Sequence, residues 1–188
     1  MAKLVSKTYG DALFEIAAES GRMDDFYEEI KDVLQVIAQN AELTKLMNHP
    51  KVVKEEKIQV VESIFKGHVS DEIVGLMRMI VDKDHFGEIE NILDYFISEV
   101  KESKNIGTAY VTTATELSEA QKDQIVQRLI QTTRYVEFEM HYDVDTALIG
   151  GMVIRIKDRV VDSSIKTKLY DLSRELSKIQ LKVGESAS

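Results

Sequence analysis

The chain has 188 residues, of which 44% are hydrophobic and 30% charged, enough apolar material for one domain or two small ones and too much for a wholly disordered chain. It has no cysteine, which excludes disulfide scaffolds, thiolate metal centres, iron-sulfur clusters and cysteine nucleophiles. Its 24 basic and 33 acidic residues give a net charge of -9, which disfavours a phosphate backbone as partner, and no uncharged stretch approaches the roughly 20 residues of a membrane-spanning helix. Lys3 and Lys7 run directly into Asp11, Glu15 and Glu19, a pattern that suits neither a signal peptide nor a transit peptide.

Charge and periodicity both divide the chain near residue 104. Residues 1 to 104 carry 13 basic and 21 acidic side chains, a net of -8, whereas 105 to 188 carry 11 and 12, a net of -1. The first part has helical spacing throughout. Val5, Tyr9, Ala12, Leu13 and Ile16 predict the apolar stripe of a first helix that stops at Gly21. Asp24 is the candidate N-cap of a second helix carrying Phe26, Ile30, Val33, Leu34 and Ile37. A short third holds Leu43, Leu46 and Met47, and Pro50, the only proline, closes it. Val53, Val61, Ile64 and Phe65 mark a fourth helix, Ser70 is placed to cap a fifth, and Phe86, Ile89, Ile92, Leu93, Phe96, Ile97 and Val100 form the stripe of a sixth. The fifth is unusual, because Ile73 to Val81 contains one charge, Arg78. It reads either as a central core helix or as one with a face completed by a partner, for which Gly75, Met77 and Met79 are suited.

Beyond Gly107 the pattern becomes β-branched, and Thr108 to Thr115 read as a strand. Ser118 and Gln121 have capping-box spacing ahead of a helix with Ile125, Val126, Leu129 and Ile130. A second strand alternates Val136, Phe138, Met140, Tyr142 and Val144, expected in a core, with Glu137, Glu139, His141 and Asp143, expected in solvent. Gly150 and Gly151 precede a strand with Met152, Ile154 and Ile156; Lys157, Asp158 and Arg159 read as a turn. A last helix carries Ile165, Leu169, Leu172, Leu176 and Ile179. The expected fold class is α+β: a six-helix amino-terminal bundle over 1 to 104, a small mixed α/β domain over 105 to 182, and a disordered tail over 183 to 188.

Chemistry is sparse. His49, His68, His85 and His141 lie 17 or more residues apart, with no metal-ligand spacing. No phosphate-cradling loop, dinucleotide fingerprint or nucleophile elbow occurs, and the acidic pairs fall on helices where a solvated face explains them. The sequence therefore indicates no catalytic residue, cofactor, metal or small-molecule substrate. Arg155 to Lys178 has seven positive and four negative side chains, a basic patch readable as a solvated face or as a docking surface. A helix-binding adaptor is favoured over an enzyme, with a small hydrolase using unrecognised carboxylates as the rival.

Leu148-Ile149-Gly150-Gly151-Met152-Val153-Ile154-Arg155-Ile156, followed by Asp158, Val160, Asp162, Ser163, Leu169 and Leu172, resembles the carboxyl-terminal signature of the F-type ATP synthase delta subunit, the family of the mitochondrial oligomycin-sensitivity-conferring protein. Tyr9-Gly10-Asp11-Ala12-Leu13-Phe14 is similar to the family's first-helix motif, with Gly10 where alanine is usual. His49-Pro50, Lys57, Leu76, Arg78 and Met79 also fall where the family would place them. The resemblance implies a non-catalytic stator subunit, peripheral to the cytoplasmic face of a bacterial membrane. It would join the catalytic head to the peripheral stalk so that rotor torque drives proton-coupled ATP synthesis. By the same resemblance, Tyr9, Ala12, Leu76 and Met79 would hold the amino-terminal helix of an alpha subunit between the first and fifth helices, and the second domain would meet the stalk b subunits. Gly150, Gly151, Asp158, Asp162 and Ser163 would shape that second domain.

Overall fold

The computed structural model describes residues 2 to 170 and residue 174. The chain divides into two compact units, Met1–Lys104 and Asn105–Ser188, and the fold is α+β. The first unit holds α1 (Ala2–Glu19), α2 (Met23–Gln39), α3 (Ala41–Met47), α4 (Lys54–Phe65), α5 (Asp71–Asp82), a 3-10 turn (Phe86–Glu88) and α6 (Ile89–Ser103).

Its core is built from α2, α5 and α6 around Phe26, Ile30, Ile73, Met77, Ile80, Ile92 and Phe96, none of which reaches solvent. The phase of α1 differs from the expected stripe. Its buried residues are Ser6, Gly10, Leu13 and Ala17, while Ala12 and Ile16 are exposed and Val5 and Tyr9 half-buried. The buried line is one residue step away from the apolar one because α1 packs closely on α6, and small side chains set that approach. A Cβ on Gly10 would stand 2.4 Å from Cδ1 of Tyr95, whose hydroxyl donates to Asp11 Oδ1 at 2.9 Å. Small residues carry little hydropathy, so a pattern search reads past them.

Helix starts also depart from expectation. Arg22 occupies the N-cap position of α2 and Asp24 lies in its first turn, paired with Lys104. Ser70 does occupy the N-cap position of α5, yet its side chain caps nothing there. Its amide and hydroxyl both donate to the Glu29 carboxylate, at 2.7 and 2.9 Å, and its Oγ accepts from Arg22 Nη2 at 2.7 Å. This network ties the end of α1 to α2 and the start of α5.

The second unit holds β1 (Ile106–Thr113), α7 (Glu119–Thr132), β2 (Glu137–Val144), a 3-10 turn (Thr146–Leu148), β3 (Met152–Ile156), β4 (Arg159–Asp162) and a helix over 165–170, α8. The sheet order is β2-β1-β3-β4, with β1 parallel to β2 through the α7 crossover and the remaining pairs antiparallel. Ser118 and Gln121 close both bonds of the capping box on α7. Ala109, Val111, Ile125, Leu129, Tyr135 and Phe138 form the core between sheet and helix. The alternation of β2 is present, but its apolar face is only partly covered: Phe138 is buried, whereas Tyr142 and Val144 are 36% and 44% exposed. At that end α7 offers Lys122, its ammonium 5.3 Å from the Tyr142 ring, in place of an apolar residue. An open cleft of about 490 Å³ remains, lined by Leu117, Lys122, Tyr142 and Val144 among others. The expectations for Leu172, Leu176, Ile179 and the tail from 183 lie outside the described residues.

Candidate functional site

Two facts orient the face shared by α1 and α5. The Tyr9 ring meets His85, just past the end of α5, edge to face at 6.1 Å, and Arg22, just past the end of α1, reaches Glu72 in the first turn of α5 at 3.8 Å. The two helices therefore run antiparallel along each other. Residues four and three apart on α1 place Val5, Tyr9, Ala12 and Ile16 in one line, and Leu76 and Met79 follow Glu72 on α5 at steps of four and three.

Exposure separates their parts. Leu76 is 9% exposed, Tyr9 is half-buried, Ala12 is open to solvent, and Met79 is 53% exposed. A Cβ on Gly75 would meet nothing within 4 Å, so the surface beside Leu76 and Met79 is free for a close approach. The apolar circumference of α5 resolves accordingly. Ile73, Val74, Leu76, Met77, Ile80 and Val81 are spent on the core, and Gly75 and Met79 are left outside it. Ile16, which belongs to the apolar stripe read from the sequence, is 42% exposed on the same line of α1.

The glycine-rich signature lies in the second unit. Gly151 has φ +79°, and a Cβ there would stand 2.5 Å from the Ser163 carbonyl oxygen, so only glycine fits. Ser163 holds the same junction: its amide and hydroxyl both donate to Met152 O at 2.9 Å. Asp158 sits in the two-residue turn between β3 and β4, next to Lys157 at φ +51°. Asp162 precedes α8 and accepts from Thr167 Oγ1 at 2.6 Å and Ser164 N at 2.8 Å, which together hold its carboxyl below the usual carboxylate range. Tyr9 and Ala12 thus lie on one line of α1 and Leu76 and Met79 on one line of α5, while Gly150, Gly151, Asp162 and Ser163 gather at the strand-to-helix junction and Asp158 lies apart from it, in the turn at the other end of β3.

The basic patch is less uniform than its sequence suggested. Arg155 lies on the sheet face away from α7, its guanidinium 4.7 Å from the Tyr110 ring, which stacks on His141 from the other side at 4.8 Å. Lys166 and Lys168 are exposed on α8. Among the described residues no three histidine, aspartate or glutamate side chains gather as metal ligands, and no helix is long and apolar enough to cross a membrane.

Residues 5–176 match the model of a protein family described as ATP synthase delta (OSCP) subunit. The chain belongs to that family. It is 56% identical over 181 residues to the ATP synthase subunit delta of Lachnoclostridium phytofermentans, covering 96% of this chain and all of that one. It is 37% identical to the subunit delta of Desulforamulus reducens, covering 93% of this chain and 96% of the relative. Among solved structures it shares its fold with a chain of the Toxoplasma gondii mitochondrial ATP synthase hexamer, with a TM-score of 0.75 at 17% identity, over 91% of this chain and 96% of that one. Delta (OSCP) subunits are non-catalytic structural parts of the F-type ATP synthase peripheral stalk, peripheral to its membrane part, and this chain takes its stator role from that membership.

Proposed function

We propose that the helical unit works as a six-helix bundle whose α1–α5 face holds the amphipathic amino-terminal helix of an ATP synthase alpha subunit, while the second unit meets the b subunits of the peripheral stalk at the cytoplasmic face of a bacterial membrane. Tyr9, Ala12, Leu76 and Met79 contact the alpha helix. Gly150, Gly151, Asp158, Asp162 and Ser163 shape the second unit.

The observation that carries this reading is the strip of apolar surface left uncovered where α1 and α5 run side by side, with a half-buried Tyr9, a buried Leu76 and an exposed Met79. A groove of this kind suits a helix with apolar residues at i, i+3, i+4 and i+7. Burying four large side chains of such a helix, at about 1.5 to 3 kcal/mol each, gives a gross gain of about 6 to 12 kcal/mol before association costs. A joint that must hold through many turns of the rotor needs slow dissociation, which apolar burial supplies and exposed ion pairs do not.

A synthetic peptide of the alpha amino terminus, titrated into the full chain, is expected to bind with slow dissociation. Met79→Asp places a charge on the strip and should weaken that binding about tenfold or more, while the second unit keeps its thermal transition. Absence of binding by the unaltered chain, or unchanged affinity of the variant, contradicts the groove assignment.

A further inference from the structure

Ile149 has φ +65° and ψ -28°, a left-handed conformation that a β-branched side chain adopts only under constraint. The remaining non-glycine residues with positive φ among those described are Asp84, Asn105 and Lys157, unbranched side chains at helix ends or in a tight turn. The neighbours over-determine the geometry. Leu148 is buried, Asp145 Oδ1 accepts from Ala147 N at 2.9 Å, and Ile149 N donates to Thr146 O. Strain of this kind persists only where the surroundings hold it, and here it does not serve to bury the side chain, since Ile149 is 66% exposed. Glycine or asparagine would satisfy the turn at lower cost, so the fold does not account for an isoleucine here.

The surroundings indicate what it is held out for. Ile165 N donates to Gly150 O at 2.9 Å, and the Ile165 side chain lies so close over Gly150 that a Cβ there would be 2.6 Å away. This joins the loop to the first turn of α8, where Ile165 and Leu169, four residues apart on one helix face, are 43% and 52% exposed. Ile149, Ile165 and Leu169 are thus apolar groups presented at a single loop-helix junction. Lys166 and Lys168 flank them, on a chain whose net charge is -9. An apolar strip with basic flanks complements an amphipathic helix with acidic flanks.

We infer that Ile149 is a contact residue for the peripheral stalk, displayed at the expense of fold stability, and that with Ile165 and Leu169 it receives an apolar helix face bordered by carboxylates. This rests on the reading that the second unit meets the stalk b subunits, and adds to it the residues and the chemistry of the helix they fit.

The test uses the full chain and the soluble part of the b subunit from the same organism, with affinity and melting measured in parallel. Ile149→Asn should raise the melting midpoint by about 4 °C or more, because asparagine tolerates the left-handed region, and should weaken b binding about tenfold or more. Ile149→Gly serves as a second variant with the same two expected signs. Lys166→Glu combined with Lys168→Glu should weaken binding several-fold and flatten its salt dependence. Unchanged affinity of both Ile149 variants, with the unaltered chain binding normally, overturns the inference and leaves the stalk contact standing. Absence of binding by the unaltered chain removes the stalk reading and the inference with it. Self-association that Ile149→Asn abolishes would assign the patch to a second copy and likewise overturn the proposal.

Discussion

Gly10 and Tyr95 form a pair in which each explains the other. Glycine inside a helix lowers stability by about 1 kcal/mol relative to alanine. At residue 10 that preference is overruled, since a methyl would press on the Tyr95 ring, which cannot retreat without giving up its bond to Asp11. Gly10→Ala is therefore expected to destabilise the first unit by about 1 to 3 kcal/mol in denaturant titration. In a Tyr95→Ala background the same change should be neutral or stabilising, and a double-mutant cycle reads the reversal of sign. The Tyr95 hydroxyl makes a second prediction. Burial, and then the hydrogen bond to Asp11, push its pKa up to about 12 from the usual tyrosine value of 10.0. The folded chain thus keeps a proton that the unfolded chain has lost, so this contribution to stability is whole below pH 10 and vanishes as pH rises through about 12. Tyr95→Phe should make the decline of the melting midpoint over that window shallower, and an unaltered slope would refute the assignment.

At the level of elements, the capped start of α7 was legible because it is local: Ser118 and Gln121 need only each other. The stripe of α6 was legible for a related reason, since its apolar face points into the centre of the unit and every apolar residue on it is used. Elements whose covering depends on a distant partner were read less well. The phase of α1 is set by Tyr95, some eighty positions away in sequence, and the far end of β2 stays open because Lys122 stands where an apolar residue would close it. Of the candidate residues, the sequence supplied their types and the resemblance their roles, but neither exposure nor the left-handed turn at Ile149 leaves a periodic trace. Asp162 shows how one element end depends on solution conditions. Its bonds to Thr167 Oγ1 and Ser164 N favour the ionised carboxylate, so its folded pKa lies below the unfolded one. That stabilisation is present above about pH 4 and is lost as pH falls through the depressed value. Amide exchange at Ser164 and Thr167 should accelerate on acidification below pH 4 relative to neighbouring amides, and Asp162→Asn should remove that dependence.

For the whole molecule, the division into two units near residue 104 matters more than any single contact. A stator transmits torque in series, so the coupling it provides is limited by its weaker joint, and a connector with one sound joint and one broken joint holds nothing against the rotor. Catalysis by the head requires no such connection, because nucleotide hydrolysis proceeds whether the head is held or turns freely with the rotor. These two statements fix the phenotype of a groove variant in the assembled synthase. Membranes carrying Met79→Asp should retain most of their ATP hydrolysis while losing ATP-driven ion pumping and ATP synthesis in proportion to the head contact that is lost. The chain itself should remain on the stalk, since the altered residue lies in the first unit and the stalk contact is assigned to the second. Loss of hydrolysis in parallel with pumping would mean that the residue acts on the catalytic head, and retention of both would mean that another contact carries the torque. Release of the chain from the membranes along with the head would place both joints in the first unit.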